Sequence, residues 1–297
     1  KFSFGGNIIV MPYDSIDEVR LFFSGLRANI TIHSNPELTF GLHRTFLSGS
    51  FSTSPLNPND KFKEWSILDA LKLVVEPIFG QSKKSLNYTI PGTPGFDKWD
   101  QVISGFAQVF FPKDDLLIFL ELSSDDNRGN FTDLKAHWDH TLGYNLGFRK
   151  STDLSFGKIF FSTEYLNTSI TNTNNPKFYR GSPNAANYYI YESFDYFTYE
   201  GRRMGAHSGS SSDDLIFILG FQKLNNILLF TINKERHGIK YMKFPELKNE
   251  LSIILNRKFK DKHSLTLTFE YEKIHNFAYR SNFSISKLFW ASYSFSI

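Results

Sequence analysis

The run YFTYEGRRMGAHSGSSSDDL, residues 196–215, is the stretch of this sequence best supplied for chemistry. Tyr199, Arg202, Arg203, His207 and Asp213 stand within it, among glycines and serines. Tyrosine faces stack on the C–H surfaces of sugars, while Arg and Asp form paired hydrogen bonds with hydroxyls or carboxylates. The mixture therefore suits carbohydrate recognition, and it also suits a Gly/Ser-rich surface loop with solvated charges. His207 beside Ser208, with Asp213 and Asp214 following, supplies the ingredients of a Ser–His–Asp relay. Adjacent loop residues rarely hold that geometry, and no G-x-S-x-G elbow occurs. No catalytic residue is assigned, and the chain is not expected to be an enzyme.

Two shorter runs invite a metal. In HWDH, residues 137–140, histidines three apart on an extended segment point to opposite faces, so an interfacial Trp and His at a bilayer edge fit better. SSDDNRGN, residues 123–130, lacks the closing Glu of a calcium loop. The absence of cysteine removes disulfides, iron–sulfur clusters and Cys–zinc sites. No metal or cofactor is expected, and a net charge of +3 gives no electrostatic case for nucleic acid.

The elements that must position these residues show a period of two. Over 20–33, Phe22, Leu26, Ala28, Ile30 and Ile32 fall on one side, with Arg27, Asn29, Thr31 and His33 on the other. Leu142, Tyr144, Leu146 and Phe148 oppose Gly143, Asn145, Gly147 and Arg149 in the same way. Leu265, Leu267, Phe269 and Tyr271 oppose Ser264, Thr266, Thr268, Glu270 and Glu272. The last residues repeat the pattern, with Phe289, Ala291, Tyr293, Phe295 and Ile297 against Trp290 and three serines. With weaker examples there are about eleven such segments, most of about 9–12 residues, the length a tilted strand needs to cross a bilayer. The 32 Phe, 14 Tyr and 4 Trp exceed what a soluble core of this size needs, yet mean hydropathy is only −0.29.

The connections alternate short and long. HSNPE, FPKDDL, KSTD, KLNN and KFKDKH are tight turns, separated by polar stretches at 47–101, 124–138, 166–212, 235–246 and 274–285. Outer-membrane barrels show this asymmetry, with short periplasmic turns and long outer loops. The competing fold is a soluble β-sandwich, whose apolar faces would have to find another sheet. The expected fold is an all-β, antiparallel transmembrane β-barrel in a bacterial outer membrane, one domain over 1–297. The parity of the turns requires a strand before residue 20, which 1–10 can supply. At least twelve strands follow, or up to eighteen if an N-terminal part is missing. The final strand is expected to close the barrel against the first. Residues 48–100 form a long, partly helical loop or plug, because Trp65, Leu68, Leu71 and Val75 take helical spacing before Pro77. Arg27, Asn29, His33, His43 and Arg149 are expected to face the lumen. A mixed-sign interior suits a binding protein and a pore equally.

Three stretches in order resemble the outer-membrane capsule assembly protein Wzi family: GLRANITIHSNPELTFGLHRTFLSGS (25–50), YEGRRMGAHSGSSSDDL (199–215) and NKERHGI (233–239). The resemblance implies a plugged outer-membrane barrel that acts as a lectin and anchors nascent capsular polysaccharide to the Gram-negative cell surface. It brings forward Arg44, Arg202, Arg203, His207, Asp213 and His237 as polysaccharide contacts, with Tyr199 as an aromatic anchor. The partners so expected are surface or capsular polysaccharide, outer-membrane lipids and other subunits of a surface complex. A porin-type channel for small polar solutes and a structural barrel subunit are the alternatives.

Overall fold

The period-two segments fold as strands of one continuous antiparallel sheet. A computed structural model of the chain describes residues 1–14, 19–51, 99–125, 142–169, 198–199, 202–203, 206, 208–240, 242–259 and 262–295. In chain order the strands are β1 (Phe2–Asp14), β2 (Val19–Ile32), β3 (Glu37–Phe51), β4 (Trp99–Phe111), β5 (Leu116–Asp125), β6 (Leu142–Leu154) and β7 (Gly157–Asn167). A small pair follows, β8 (Thr198–Tyr199) and β9 (Arg202–Arg203). Then come β10 (Asp213–Lys223), β11 (Asn226–His237), β12 (Glu246–Phe259), β13 (His263–His275) and β14 (Phe283–Phe295). Apart from β8 and β9, each strand pairs with its neighbour in sequence, giving a twelve-stranded meander. The strand required before residue 20 is β1, so the twelve-strand minimum holds. Among the described residues the ladder runs from β1 to β14, and no ladder joins these two edges, so the expected closing pair is not seen. The helix expected in 48–100 falls on residues 52–98, outside the described residues.

Register assigns the two faces. In β10 and β11, Leu215, Phe217 and Leu219 lie on the same side as Ile232 and Phe230, while Ile216 and Ile218 share the other side with Asn233 and Thr231. The first face continues through Leu251, Ile253 and Leu255 and through Leu120 and Leu122, and much of it stays exposed. Among the described residues Phe106, 8% exposed, is the only buried hydrophobic side chain. A soluble domain rarely shows so large an apolar surface; a sheet whose outer face meets lipid must. No helix among the described residues is long and apolar enough to cross a membrane, so any crossing is made by these strands.

The polar face is the concave one. Glu37 of β3 and Ile218 of β10, five strands apart in the ladder, line one cavity of about 660 Å³. In a flat sheet they would be separated by roughly 24 Å. Three glycines permit that curvature. Gly41, Gly147 and Gly220 each sit directly opposite a phenylalanine of the next strand, namely Phe106, Phe119 and Phe160. The ring lies where a Cβ would go: one added to Gly147 would be 2.7 Å from the Phe119 ring. Aromatic cover over a bare backbone is a recurrent device for bending strands without opening a void.

Turns at the other edge of this wall are stapled. Asp115 takes a left-handed conformation, with φ of 46°, between β4 and β5. Its carboxylate accepts from the Ser151 hydroxyl and lies 3.3 Å from Lys158 Nζ, tying the β4–β5 hairpin to the β6–β7 hairpin. Those two partners hold the Asp115 carboxyl below the usual carboxylate range.

Candidate functional site

The polar face is most elaborate at its long-loop end, where β10 begins and β11 ends. Residues 208–212 turn through two left-handed positions, Gly209 at φ 76° and Ser211 at φ 51°. The Thr168 amide donates to Ser212 O at 2.9 Å, which extends the β7–β10 ladder one step past the Asn167–Asp213 pair. Thr168 Oγ1 and Ser212 Oγ both lie 2.7 Å from Gly209 O, and Ser212 Oγ is 3.1 Å from Ser208 Oγ. Ser208, Ser211 and Ser212 are buried. The solvated-loop alternative therefore does not describe these serines, which are interior.

A column of three side chains on β11 stands beside them. Asn233, Glu235 and His237 are all buried, at alternate positions facing the polar side. His237 Nδ1 lies 2.9 Å from Ser208 O. A carbonyl can only accept, so the ring carries a proton on Nδ1. His237 Nε2 lies 2.9 Å from Glu235 Oε2, and that bond holds a second proton shared between ring and carboxylate. The other oxygen of Glu235 accepts from Asn233 Nδ2 at 2.6 Å and faces Lys248 Nζ at 3.4 Å. Lys248 also meets Glu250 at 2.8 Å and Glu272 at 3.4 Å, so one ammonium holds three carboxylates together. Asn233 Oδ1 and, across the same face on β6, Asn145 Oδ1 are buried acceptors with no hydrogen-bond partner among the described residues. Such atoms call for a donor.

Among the described residues this cluster assembles no Ser–His–Asp relay. His207, the histidine of the relay read in the sequence, lies outside the described residues, while His237 meets the carbonyl of Ser208 and Asp213 points to the opposite face. There it takes Arg236 Nε at 2.8 Å and 3.0 Å on its two oxygens, beside Tyr165 Oη at 3.4 Å. No group of three metal-ligating side chains occurs among the described residues.

The structure thus separates the residues the sequence grouped. His237 lies on the polar face, Asp213 on the apolar one. Arg44 also shares a face with its apolar register partners Leu26 and Ile103. Tyr199 pairs with Arg202 and Thr198 with Arg203 in the β8–β9 ribbon, whose side-chain environment lies outside what is described. His207 lies outside the described residues. Of the lumen set, Arg27, Asn29, His43 and Arg149 occupy the polar face. Arg27 sits over the Phe106 ring at 5.3 Å and His43 meets the same ring edge-on at 4.8 Å. Asn29 accepts from Ser3 at 2.8 Å, and Arg149 is 3.8 Å from Glu164. His33 has passed into the turn, 2.7 Å from Glu37. Asn145, Asn233, Glu235 and Lys248 were missed. Alternation in NKERH, 233–237, could have put Asn233, Glu235 and His237 on one face, but nothing local names Lys248 as their neighbour.

Lys240, in the connection after β11, is half-buried, and burial lowers its amine to about 8. Its folded value lies below the unfolded value of about 10.4, so the charged form is the destabilising one. The associated stability is complete above about pH 10.4 and is lost as pH falls through 8. Labelling by an amine-reactive reagent, followed by peptide mass spectrometry, should show Lys240 reacting with a midpoint near pH 8.

A solved structure matches this fold. The chain superposes with a TM-score of 0.61 on Wzi, an outer-membrane protein involved in group 1 capsule assembly in Escherichia coli and a carbohydrate-binding β-barrel. The match covers 98% of this chain and 55% of that one at 10% identity, so the chain spans about half the length of its neighbour. The likeness is one of fold, to an outer-membrane β-barrel. The β domain of the Bordetella autotransporter BrkA is also matched, with a TM-score of 0.25 and 12% identity over 100% of this chain and 97% of that one, too low to carry an argument. No protein-family description matches the chain, and no curated protein does.

Proposed function

We propose that this chain forms the wall of an outer-membrane β-barrel that binds capsular or other surface polysaccharide at the long-loop end of its polar face. The observation that carries the reading is a pair of buried amide oxygens without a partner among the described residues, Asn145 Oδ1 and Asn233 Oδ1, on a face rich in carboxylates. Both are acceptors, and a polyhydroxylated chain brings donors in quantity. Glu250 and Glu272, held by Lys248, present further acceptors on the same side. The fold-level likeness to a carbohydrate-binding barrel supports the same reading. The groups described on this face are suited to binding and orienting such a chain. Tyr199, Arg202 and Arg203 follow β7 in the same long connection and are the proposed loop contacts.

The second reading is a channel for small polar solutes, favoured by the cavity of about 660 Å³ along the polar wall with Arg149, Gln108 and Glu164 in its lining. Single-channel conductance in a planar bilayer, with and without the host's surface polysaccharide, separates the two. Absent or small conductance that polysaccharide blocks is expected, and N233L should then weaken the block about tenfold. That corresponds to one hydrogen-bonding group lost from a buried site. Large, steady conductance indifferent to polysaccharide would make the chain a channel.

A further inference from the structure

The apolar face carries a second feature that neither reading uses. Just beyond its greasy belt at the long-loop end, the outward side of β11, β13 and β14 turns basic. Lys234 follows Ile232 on that face, Lys273 follows Tyr271, and Lys287 stands opposite Tyr271. Asn249 lies between Lys234 and Lys273 in the ladder, putting those two lysines on second-neighbour strands, roughly 10 Å apart. Lys287 is the diagonal neighbour of Lys273, about 7–8 Å away. Arg236 adds a fourth cation one step on, but Asp213 already holds it. Among the described residues Lys234, Lys273 and Lys287 take part in no ion pair, whereas Lys248, on the other face of the same sheet, holds three carboxylates. Lys234 and Lys287 are exposed.

The position of these lysines relative to the belt is what gives them a ligand. On β12 the outward face is apolar at Leu251, Ile253 and Leu255 and reaches Arg257 at the short-turn end, where the guanidinium stacks on Phe259. Arg257 shares a register row with Leu265, eight residues from Lys273 on β13. Eight strand residues span about 27 Å, or about 20 Å of height at the usual barrel tilt, close to the apolar band of an outer-membrane barrel. Tyr144 and Tyr165, with rings 5.8 Å apart on the same face, and Tyr271 sit where the belt meets this basic row, as an interfacial girdle does. The lysines therefore stand at headgroup height. There the available partner is the anionic part of a lipid, and Lys273, with Lys234 about 10 Å to one side and Lys287 about 7–8 Å to the other, gives a row of ammonium groups that matches the phosphates of a headgroup.

We infer that Lys234, Lys273 and Lys287 form a docking site for the phosphate-bearing headgroup of a membrane lipid on the outer surface of this barrel. The inference rests on the reading of the chain as a membrane barrel and adds to it a specific lipid contact. Each lysine near a membrane surface contributes about a fivefold preference for anionic lipid, so three give roughly a hundredfold. Binding falls with ionic strength, because these charges face water and headgroups and not a protein interior.

The test inserts the purified full chain into phosphatidylcholine nanodiscs made with or without a minority of diphosphoryl lipid A, and measures lipid A retained per protein by native mass spectrometry. The comparison is K234Q/K273Q/K287Q. Glutamine keeps the length and the exposed positions, so folding is checked in the same nanodiscs by heat-dependent gel mobility. The expected result is retained lipid A on the unaltered protein, lost by about a hundredfold in the triple variant and displaced by salt. Displacement by inorganic phosphate at low concentration would mean that the site takes a free anion, and would overturn the lipid assignment. Equal retention by both proteins, or none by either, once inserted, would overturn the site and leave the barrel standing. Failure of the unaltered chain to insert into any nanodisc would overturn site and barrel together.

Discussion

E235A is expected to destabilise the protein by about 3–5 kcal/mol, the usual consequence of removing one partner from a buried charged group. Glu235 is only 3% exposed and serves three donors at once: Asn233, His237 and Lys248. Alanine removes the carboxylate that Asn233 and His237 share and one of the three that Lys248 holds. Through His237 the loss passes to the carbonyl of Ser208 and so to the turn that starts β10. Lys248 is left with Glu250 and Glu272, both partly exposed, and can reorient toward them. The double variant E235A/K248M should therefore recover part of the loss, since removing both members of a buried pair costs less than removing one. Urea unfolding in detergent, followed by tryptophan fluorescence, measures both. A double variant as unstable as the sum of the singles would mean that the lysine and the glutamate act independently.

The second large effect is expected at a glycine. A Cβ at Gly147 would run into Thr163 O, would lie 3.1 Å from Glu164 Cα and would press on the Phe119 ring. Two of these three obstacles are backbone of the adjacent strand β7, which cannot rotate away. G147A should therefore cost at least 1–3 kcal/mol, with the β6–β7 pair forced apart locally. At Gly220 the three nearest atoms all belong to the Phe160 ring, so G220A should be rescued substantially by F160L. Gly105, on the other face of β4, has its nearest neighbour at 3.4 Å, and G105A should be near neutral. The order G147A, then G220A, then G105A, read from unfolding midpoints, tests whether the ring-over-glycine arrangement sets the bend of the wall.

The polar wall and the apolar wall of this sheet are chemically distinct because adjacent residues in a strand point to opposite sides. Leu265, Leu267 and Phe269 on one side of Thr266 and Thr268 assign their faces without a partner strand. So do Leu146 and Phe148 around Gly147. The placing of the tight turns could be read the same way, but the strands run longer than the roughly 9–12 residues expected, most of them 13–15. The sheet is built from neighbours in sequence, and a meander asks for no long-range choice of partner.

The grouping of the site residues did not follow from that regularity. Asp213 and His237 lie in neighbouring strands, and the sequence put them together as contacts. Their faces depend on register: Asp213 pairs with Arg236, and His237 stands one position further, on the other side. A shift of one residue in that ladder would have put Asp213 and His237 on the same face. Nor does any local signal reveal that Lys248 meets Glu235. The two are register partners across a connection of eight residues, 238–245, and only the pairing of β11 with β12 aligns them. The serines of 208–212 read as a solvated loop because Gly and Ser are common there. They are interior because Thr168 and His237, from two other segments, bond to that turn. Residue order decides which way a side chain points along its own strand; only the assembled sheet decides which side chains from different strands share a row, because register is a property of two strands and never of one.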